Sequence, residues 1–296
     1  MPMPAKQSPG GAACGDTDFE YLRSLVREHS AIVLEDGKHY LTESRLTPIA
    51  RREGHGTLAE LVAVLRRDRF SGLHREVVEA MTTNETLFFR DAHPFQALRE
   101  TLLPRLFERA QREGRSGLQI WSAACSSGQE PYSLAILLRE HFAKELARVP
   151  VKILATDLCS RILERAREGS YSQLEVNRGL PAPMLVRHFE RSGTRWTVRP
   201  EVRKMVEFRE LNLAGQWPQM PRTDVIFLRN VMIYFDVPTK RAILNRVHTI
   251  LAPGGRLFLG GAETTLQIDP AYKCERIGQS SAYYLEAGES AGHERR

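Results

Sequence analysis

The chain has 296 residues, 42% of them hydrophobic and 26% charged, and a formal net charge of +6. These values fit a globular protein with room for two ordinary domains, and no run approaches the roughly 18 apolar residues that a membrane span requires; the mild charge points to an acidic partner without calling for nucleic acid. Four scattered cysteines, Cys14, Cys125, Cys159 and Cys274, form no CxxC pair and meet no histidine pair at zinc spacing, so no metal is expected and a reducing cytoplasm is.

In chain order, MPMPAKQSPGGAACGD is rich in Pro, Gly and Ala, lacks the apolar core of a signal peptide, and reads as a disordered tail over 1–16. TLAELVAVLRRD predicts a helix opened by a capping box, Thr57 with Glu60 three residues on, and its Leu58, Leu61, Val62 and Leu65 share one face. GLHREVVEAMTT repeats the pattern with Leu73, Val77, Val78 and Met81. HPFQALRETLLPRLFERA does so with Phe95, Leu98, Leu102 and Leu106, and Pro104 should kink or divide that helix. The polar stretch AQREGRSG, 110–117, marks a boundary. A helical domain with its linker is therefore expected over 17–110, an α/β domain over 117–288 and a second tail over 289–296.

Past that boundary the period changes. LQIWSAA, VKILATD, DVIFLRN and GRLFLGG read as buried strands. PYSLAILLREHF, SRILERAREG (with Ser160 as N-cap and Gly169 as stop) and TKRAILNRVHTILAPGG read as the helices between them. Strands alternating with helices predict βαβ units and a mainly parallel sheet, closed by YKCERIG and SAYYLEA. Between about 170 and 205 the alternation stops, and TRWTVR inside that stretch alternates like a strand, so a small inserted subdomain is expected there. Charge is uneven: Arg187–Arg209 holds seven Lys/Arg against three Asp/Glu, and Tyr40–Arg75 seven against four. Runs of this kind are commonly solvated faces.

The ligand chemistry sits in WSAACSSGQEPYSLAILL, residues 121–138. In open α/β sheets ligands lie at the carboxyl ends of strands. A pyrophosphate loop needs several glycines and a free helix N-terminus, whereas this loop has Gly128 alone and an acid, Glu130. An acid there repels phosphate and suits a cation. Asp157 ends the second strand, 27 residues after Glu130, and can take two ribose hydroxyls or cap the next helix. A cationic nucleoside without phosphate, S-adenosylmethionine, fits this pair better than NAD.

Four blocks, MTTNETLFFRDAHPF, IWSAACSSGQEPYSLAI, ILATDLCSRILERAREGSYS and VIFLRNVMIYFD, resemble CheR, the chemotaxis receptor methyltransferase family, in the family's order and over roughly residues 17–288. The resemblance implies an N-terminal all-helical domain plus a class I S-adenosylmethionine-dependent methyltransferase domain. That domain is Rossmann-like α/β with a small inserted antiparallel β-subdomain. It also implies methyl transfer to receptor glutamates, with S-adenosylhomocysteine as product. Carried over residue by residue, the cofactor contacts are Asn84, Thr86, Arg90, Glu130, Asp157, Asn212, Leu213, Arg229 and Asn230. Arg90 and Tyr234 are the candidates for orienting the incoming carboxylate. Gln129 departs from the family, which often has a second acid there, and the RSGTRWTV turn is shorter than in members that grip a peptide tether at the receptor C-terminus.

The implied partner is an acidic helical receptor bundle, met by a cytoplasmic monomer with no nucleic acid and no membrane insertion. A helix from Thr42 would present Arg45 and Arg52 on one side, with Arg51 at its edge, as the receptor-facing cations. Phe88 and Phe89 read as core, and Cys125 and Cys159 as small apolar fillers. A related methyltransferase with another protein substrate, or a catalytically silent cofactor-binding module, would carry the same cofactor residues.

Overall fold

The structure, a computed structural model, describes residues 14–286. The composition-based tails therefore lie mostly outside the described residues. Cys14, however, is buried, its N–H donates to Glu43 Oε1 (3.0 Å), and a helix begins at Asp16, so the helical domain starts ahead of residue 17.

Two compact units form: residues up to Thr83 together with Tyr234–Asp236, and Asn84–Ile233 together with the chain from Val237 onward. In the first, helices Asp16–Ser30, His39–Arg52, Leu58–Arg67 and Gly72–Ala80 bury Phe19, Leu22, Val26, Leu46, Leu61 and Val77 in one core. Thr57 caps as expected, its Oγ1 accepting from Glu60 N (3.2 Å). Glu60 reaches back one residue further than a capping box requires, to Gly56 N (2.8 Å). Tyr234 joins this unit through its carbonyl, which accepts from Val33 N (2.9 Å).

The boundary at Thr83/Asn84 corrects the expected one near 110. The chain from His93 to Arg112 is helical, but its Phe95, Leu98, Leu102, Leu106 and Phe107 enter the same core as Ile120, Leu134 and Phe227 of the second unit. Pro104 does divide this helix. A π-helical turn, Leu98–Leu102, runs directly into the α-helix Leu103–Arg112, with Pro104, which has no N–H to donate, at the junction.

The second unit is built on a seven-stranded sheet. Its strands are β1 (Leu118–Ala123), β2 (Val151–Asp157), β6 (Val206–Glu210), β7 (Thr223–Leu228), β8 (Leu251–Leu259), β9 (Tyr272–Ile277) and β10 (Ser280–Leu285), in the order β6-β2-β1-β7-β8-β10-β9. The first five are parallel, and β10 and β9 close the sheet antiparallel. β7 is buried at every position, as a central strand covered on both faces must be. The direction of strand addition reverses between β1 and β7, the place where such sheets open a ligand crevice. Beneath it, Asp224, 1% exposed, takes a two-pronged ion pair from Arg115 and the N–H of Gln119 (2.9 Å).

A three-stranded antiparallel sheet, β3 (Ser170–Ser172), β5 (Arg195–Val198) and β4 (Phe189–Ser192), occupies the interrupted stretch. Its Tyr171 is fully buried and meets Phe88 edge-on at 5.1 Å. Gly179, φ +90°, lies so close to the chain that an added Cβ would stand 2.0 Å from Phe88 O.

Candidate active site

Five segments of the second unit converge at the crevice. The loop after β1 does so through an unusual backbone: Ala124 (φ 54°), Ser126 (φ 50°) and Gly128 (φ 93°) are all left-handed. Gly128 is also confined, since a Cβ there would come within 3.1 Å of Ala166 and 3.2 Å of the Tyr171 hydroxyl. Phe89, Asp91 and Asn230 are left-handed as well (φ 49°, 54° and 58°), so five of the seven non-glycine residues of this kind among the described residues stand in the site segments. Such conformations cost about 1–3 kcal/mol each and persist where the surroundings over-determine them.

The loop is held by Asp157. Its Oδ2 accepts from Ser126 N (2.8 Å) and its Oδ1 from Cys159 N (3.0 Å), the residue that caps the helix Ser160–Glu168. The expected capping role is therefore present, one position away from the expected Ser160 cap, on a carboxylate that stands at the end of β2. A carboxylate oxygen accepts more than one hydrogen bond, so these contacts orient the group without exhausting it. Ser126 Oγ donates to Asn84 O (2.8 Å), tying the NETLFFR segment to the same loop.

Glu130 lies in the first turn of the helix Gln129–His141, which opens two residues ahead of Pro131. It accepts from Ser122 Oγ (2.8 Å) and from Arg229 Nη1 (2.9 Å). Arg229 is buried to 1% of its side chain. Its Nη2 donates to Arg90 O (3.0 Å) and Asp91 Oδ2 (2.9 Å), while its Nε is buried without a partner among the described residues. Arg229 therefore stands between two acids as a strut and ties the segment after Phe89 to Glu130. It pairs with the acid that the sequence reading leaves open for a cation, so that acid's charge is partly compensated. The Arg90 guanidinium donates to Glu85 O (3.0 Å) within its own segment. Phe88 is fully buried and Phe89 half-buried, its N–H donating to Ser133 Oγ (2.9 Å).

Asn212 Oδ1 accepts from Ala214 N (2.9 Å), and Leu213 O accepts from Arg246 Nη1 (2.8 Å). Arg246 lies over Trp217 (5.7 Å), which packs edge-on against buried Trp121 at 5.1 Å. Ser122, Ser126 and Arg246 are thus site residues that pattern reading misses. A serine or an arginine in a strand, loop or helix carries no spacing signal.

Burial pushes the Cys125 thiol well above its ordinary range, and the nearby Asp157 charge adds to the rise. The Tyr132 and Tyr171 phenols are raised for the same first reason and stay protonated. Their hydroxyls donate to Ala166 O and Ser127 O (2.8 and 2.7 Å). Among the described residues no group of three or more His, Cys, Asp or Glu side chains stands together so as to hold a metal ion. Two acids at adjacent strand ends, one of them bracing a left-handed loop, suit a ligand that brings hydroxyls and positive charge rather than phosphate.

The helical unit uses its cations differently from the expected receptor-facing set. Arg45 donates to Met81 O (2.8 Å), Thr82 O (3.0 Å) and Thr83 Oγ1 (3.2 Å), closing the end of the helix Gly72–Ala80, and Arg52 is paired with Glu53 and Glu76. Arg51, Arg69 and Arg75 are exposed, and among the described residues they form no ion pair. In the basic stretch 187–209, Arg187, Arg199 and Arg209 pair with Glu140, Glu190 and Glu207.

The SAM binding domain of the CheR methyltransferase family matches residues 84–279, and the family's all-alpha domain matches residues 17–82. Chemotaxis protein methyltransferase 1 of Pseudomonas aeruginosa is 43% identical over 274 residues, covering 92% of this chain and 98% of that protein. Chemotaxis protein methyltransferase Cher2 of Pseudomonas putida is 41% identical, covering 91% and 98%. A chemotaxis protein methyltransferase of Vibrio parahaemolyticus is 37% identical, covering 92% and 98%.

Proposed function

This chain belongs to the CheR methyltransferase family and carries its SAM binding domain, and from that premise we propose that it methylates glutamate side chains on the cytoplasmic domain of chemotaxis receptors, forming methyl esters in the cytoplasm. The observation that carries the reading is the pair of acids at neighbouring strand ends, Glu130 after β1 and Asp157 at the end of β2, braced by Arg229 and Ser126. The names of the relatives, chemotaxis protein methyltransferases, support the choice of acceptor.

Bound S-adenosylmethionine supplies a methyl group on a sulfonium, a good leaving group. Asp157 holds the ribose hydroxyls, and Glu130, through whatever charge Arg229 leaves uncompensated, favours the cationic end. Asn84, Thr86, Asn212, Leu213 and Asn230 complete the cofactor contacts. The acceptor carboxylate has a free pKa near 4.3, so it arrives ionised and no general base is needed. The chain's task is orientation and exclusion of water, a contribution of about 7–11 kcal/mol when geometry is near ideal. Arg90, whose guanidinium rests on a carbonyl rather than a carboxylate, and Tyr234 orient the acceptor. A loosely engaged guanidinium guides a carboxylate without neutralising its nucleophilic oxygen.

The test is transfer of radiolabelled methyl from S-adenosylmethionine to a soluble receptor cytoplasmic fragment, read as label released by base. Base-labile label on mapped glutamates is expected. Cofactor binding with no label on any receptor fragment would overturn the acceptor assignment.

A further inference from the structure

The turn after β8, Gly260-Gly261-Ala262-Glu263, has no part in the roles above. β7 and β8 are parallel neighbours with Leu228 beside Leu259, so the residues that follow them leave the sheet side by side. Glu263 closes its own turn with an N–H on Gly260 O (2.9 Å), and its carboxylate reaches across to the loop after β7. Oε2 accepts from the N–H groups of Gly260 (2.6 Å) and Asn230 (2.8 Å), and Oε1 accepts from Ile233 N (3.2 Å). A Cβ on Gly260 would stand 2.7 Å from Asn230 Nδ2 and from Glu263 Oε2, so this approach requires glycine. Asn230 is left-handed (φ 58°), a conformation that needs fixing from outside. Glu263 also lines a cavity of ≈ 300 Å³ together with Asp91 and Arg229.

We propose that Glu263 is a positioning residue for methyl transfer, its two oxygens serving opposite sides of the 229–234 loop. Oε2 sets the cofactor side through Asn230, and Oε1 sets the acceptor side through Ile233, the residue before Tyr234. The inference rests on the methyltransferase reading and on the roles given there to Asn230 and Tyr234. Only a carboxylate can accept at both ends; a glutamine has one acceptor oxygen and two donors. In Glu263→Gln the carbonyl takes the place where two N–H groups converge, which turns the amide nitrogen, donor against donor, toward Ile233 N.

The experiment compares the full chain with Glu263→Gln and Glu263→Ala. It measures Tm, S-adenosylhomocysteine affinity by calorimetry, and kcat and KM on a receptor cytoplasmic fragment. In Glu263→Gln, Tm and cofactor affinity stay near wild type and KM is unchanged, while kcat falls about a hundredfold, the scale of a misplacement near 1 Å. In Glu263→Ala cofactor affinity also falls, by about tenfold, as charge-assisted bonds to Asn230 and Gly260 are lost. Wild-type kcat in both variants would overturn the proposal, and so would equal losses of Tm, affinity and kcat in the two, the mark of a general structural role. If the wild-type chain itself transfers no methyl, the function reading falls alone. The affinity comparison then still decides: kept in Gln and lost in Ala supports the clamp, equal in both removes it.

Discussion

Asp157 places each of its carboxylate oxygens on a backbone N–H, one from the loop after β1 and one from the next helix. Asp157→Asn keeps the shape but sets an amide N–H2 against one of those donors and weakens the acceptor for ribose hydroxyls. A bond to a charged group contributes about 1.5–3 kcal/mol, so affinity for S-adenosylmethionine should fall about tenfold or more in calorimetry; an unchanged affinity would remove the ribose role. The cysteines give a second check at this scale. Cys125 and Cys159 are buried, and burial raises the Cys125 thiol; Cys14 is likewise pushed up to about 11, by burial first and then by Asp18 and its acidic neighbours. Cys274 is exposed. A thiol reacts as its thiolate, so iodoacetamide at pH 8 should label Cys274 first and leave Cys125 and Cys159 untouched until the chain unfolds, as read by peptide mass mapping.

Gly179 is the most constrained link between the small sheet's segment and the NETLFFR segment. Gly179→Ala must relieve a contact of 2.0 Å to Phe88 O and also adopt φ +90°, and overpacking alone costs about 1–3 kcal/mol. Chemical denaturation should show at least that loss, with cofactor affinity falling in parallel if Phe89 and Arg90 shift with Phe88. A second link joins the helices Gln129–His141 and Ala182–His188, where Glu140 accepts from His188 and Arg187. Burial works to raise the Glu140 carboxyl, but the bonds from His188 and Arg187 outweigh it and hold it below its ordinary value. The folded value is the lower one, so this pair stabilises above the unfolded pKa, and that stability is lost as pH falls through the folded one. Glu140→Gln should flatten the acid limb of Tm against pH and leave the neutral plateau lower. These links also show where pattern reading stops. Buried runs such as DVIFLRN announce a parallel strand by composition. β6, whose VEFRE residues are half-buried or exposed at a sheet edge, does not. The periodicity over 93–112 correctly announces helix but cannot say which core the apolar face joins.

For the molecule as a whole, the two-unit plan, the alternating sheet and the acids at strand ends were legible because hydrophobic period and strand-end chemistry are local. The left-handed Ala124 and Ser126, the Arg229 strut and the Glu263 clamp were not, since each depends on strands brought together from distant parts of the chain. The same limit alters the receptor prediction. Arg45 closes a helix and Arg52 is already paired, so reversing them would damage the helical unit itself. The exposed guanidinium groups Arg51, Arg69 and Arg75, which form no ion pair among the described residues, are the better probes. Reversing Arg51 and Arg75 to Glu together should lower the rate of receptor methylation at low salt, leave cofactor affinity unchanged, and lose its effect as salt screens the attraction over a Debye length of about 8–10 Å; a wild-type rate at low salt would move docking to another face.

The small sheet carries one more consequence. Its Tyr171 sits in the main core with its hydroxyl on Ser127 O, inside the loop after β1, and Gly179 lies close against Phe88 O. The insert is therefore not a detachable cassette. A chimera that imports only residues 170–205 from a relative would bring a foreign seam to the loop after β1. Exchanges that succeed should be those that carry the NETLFFR and CSSGQE segments along with the insert, so the smallest piece of this chain that can be exchanged is larger than the subdomain itself.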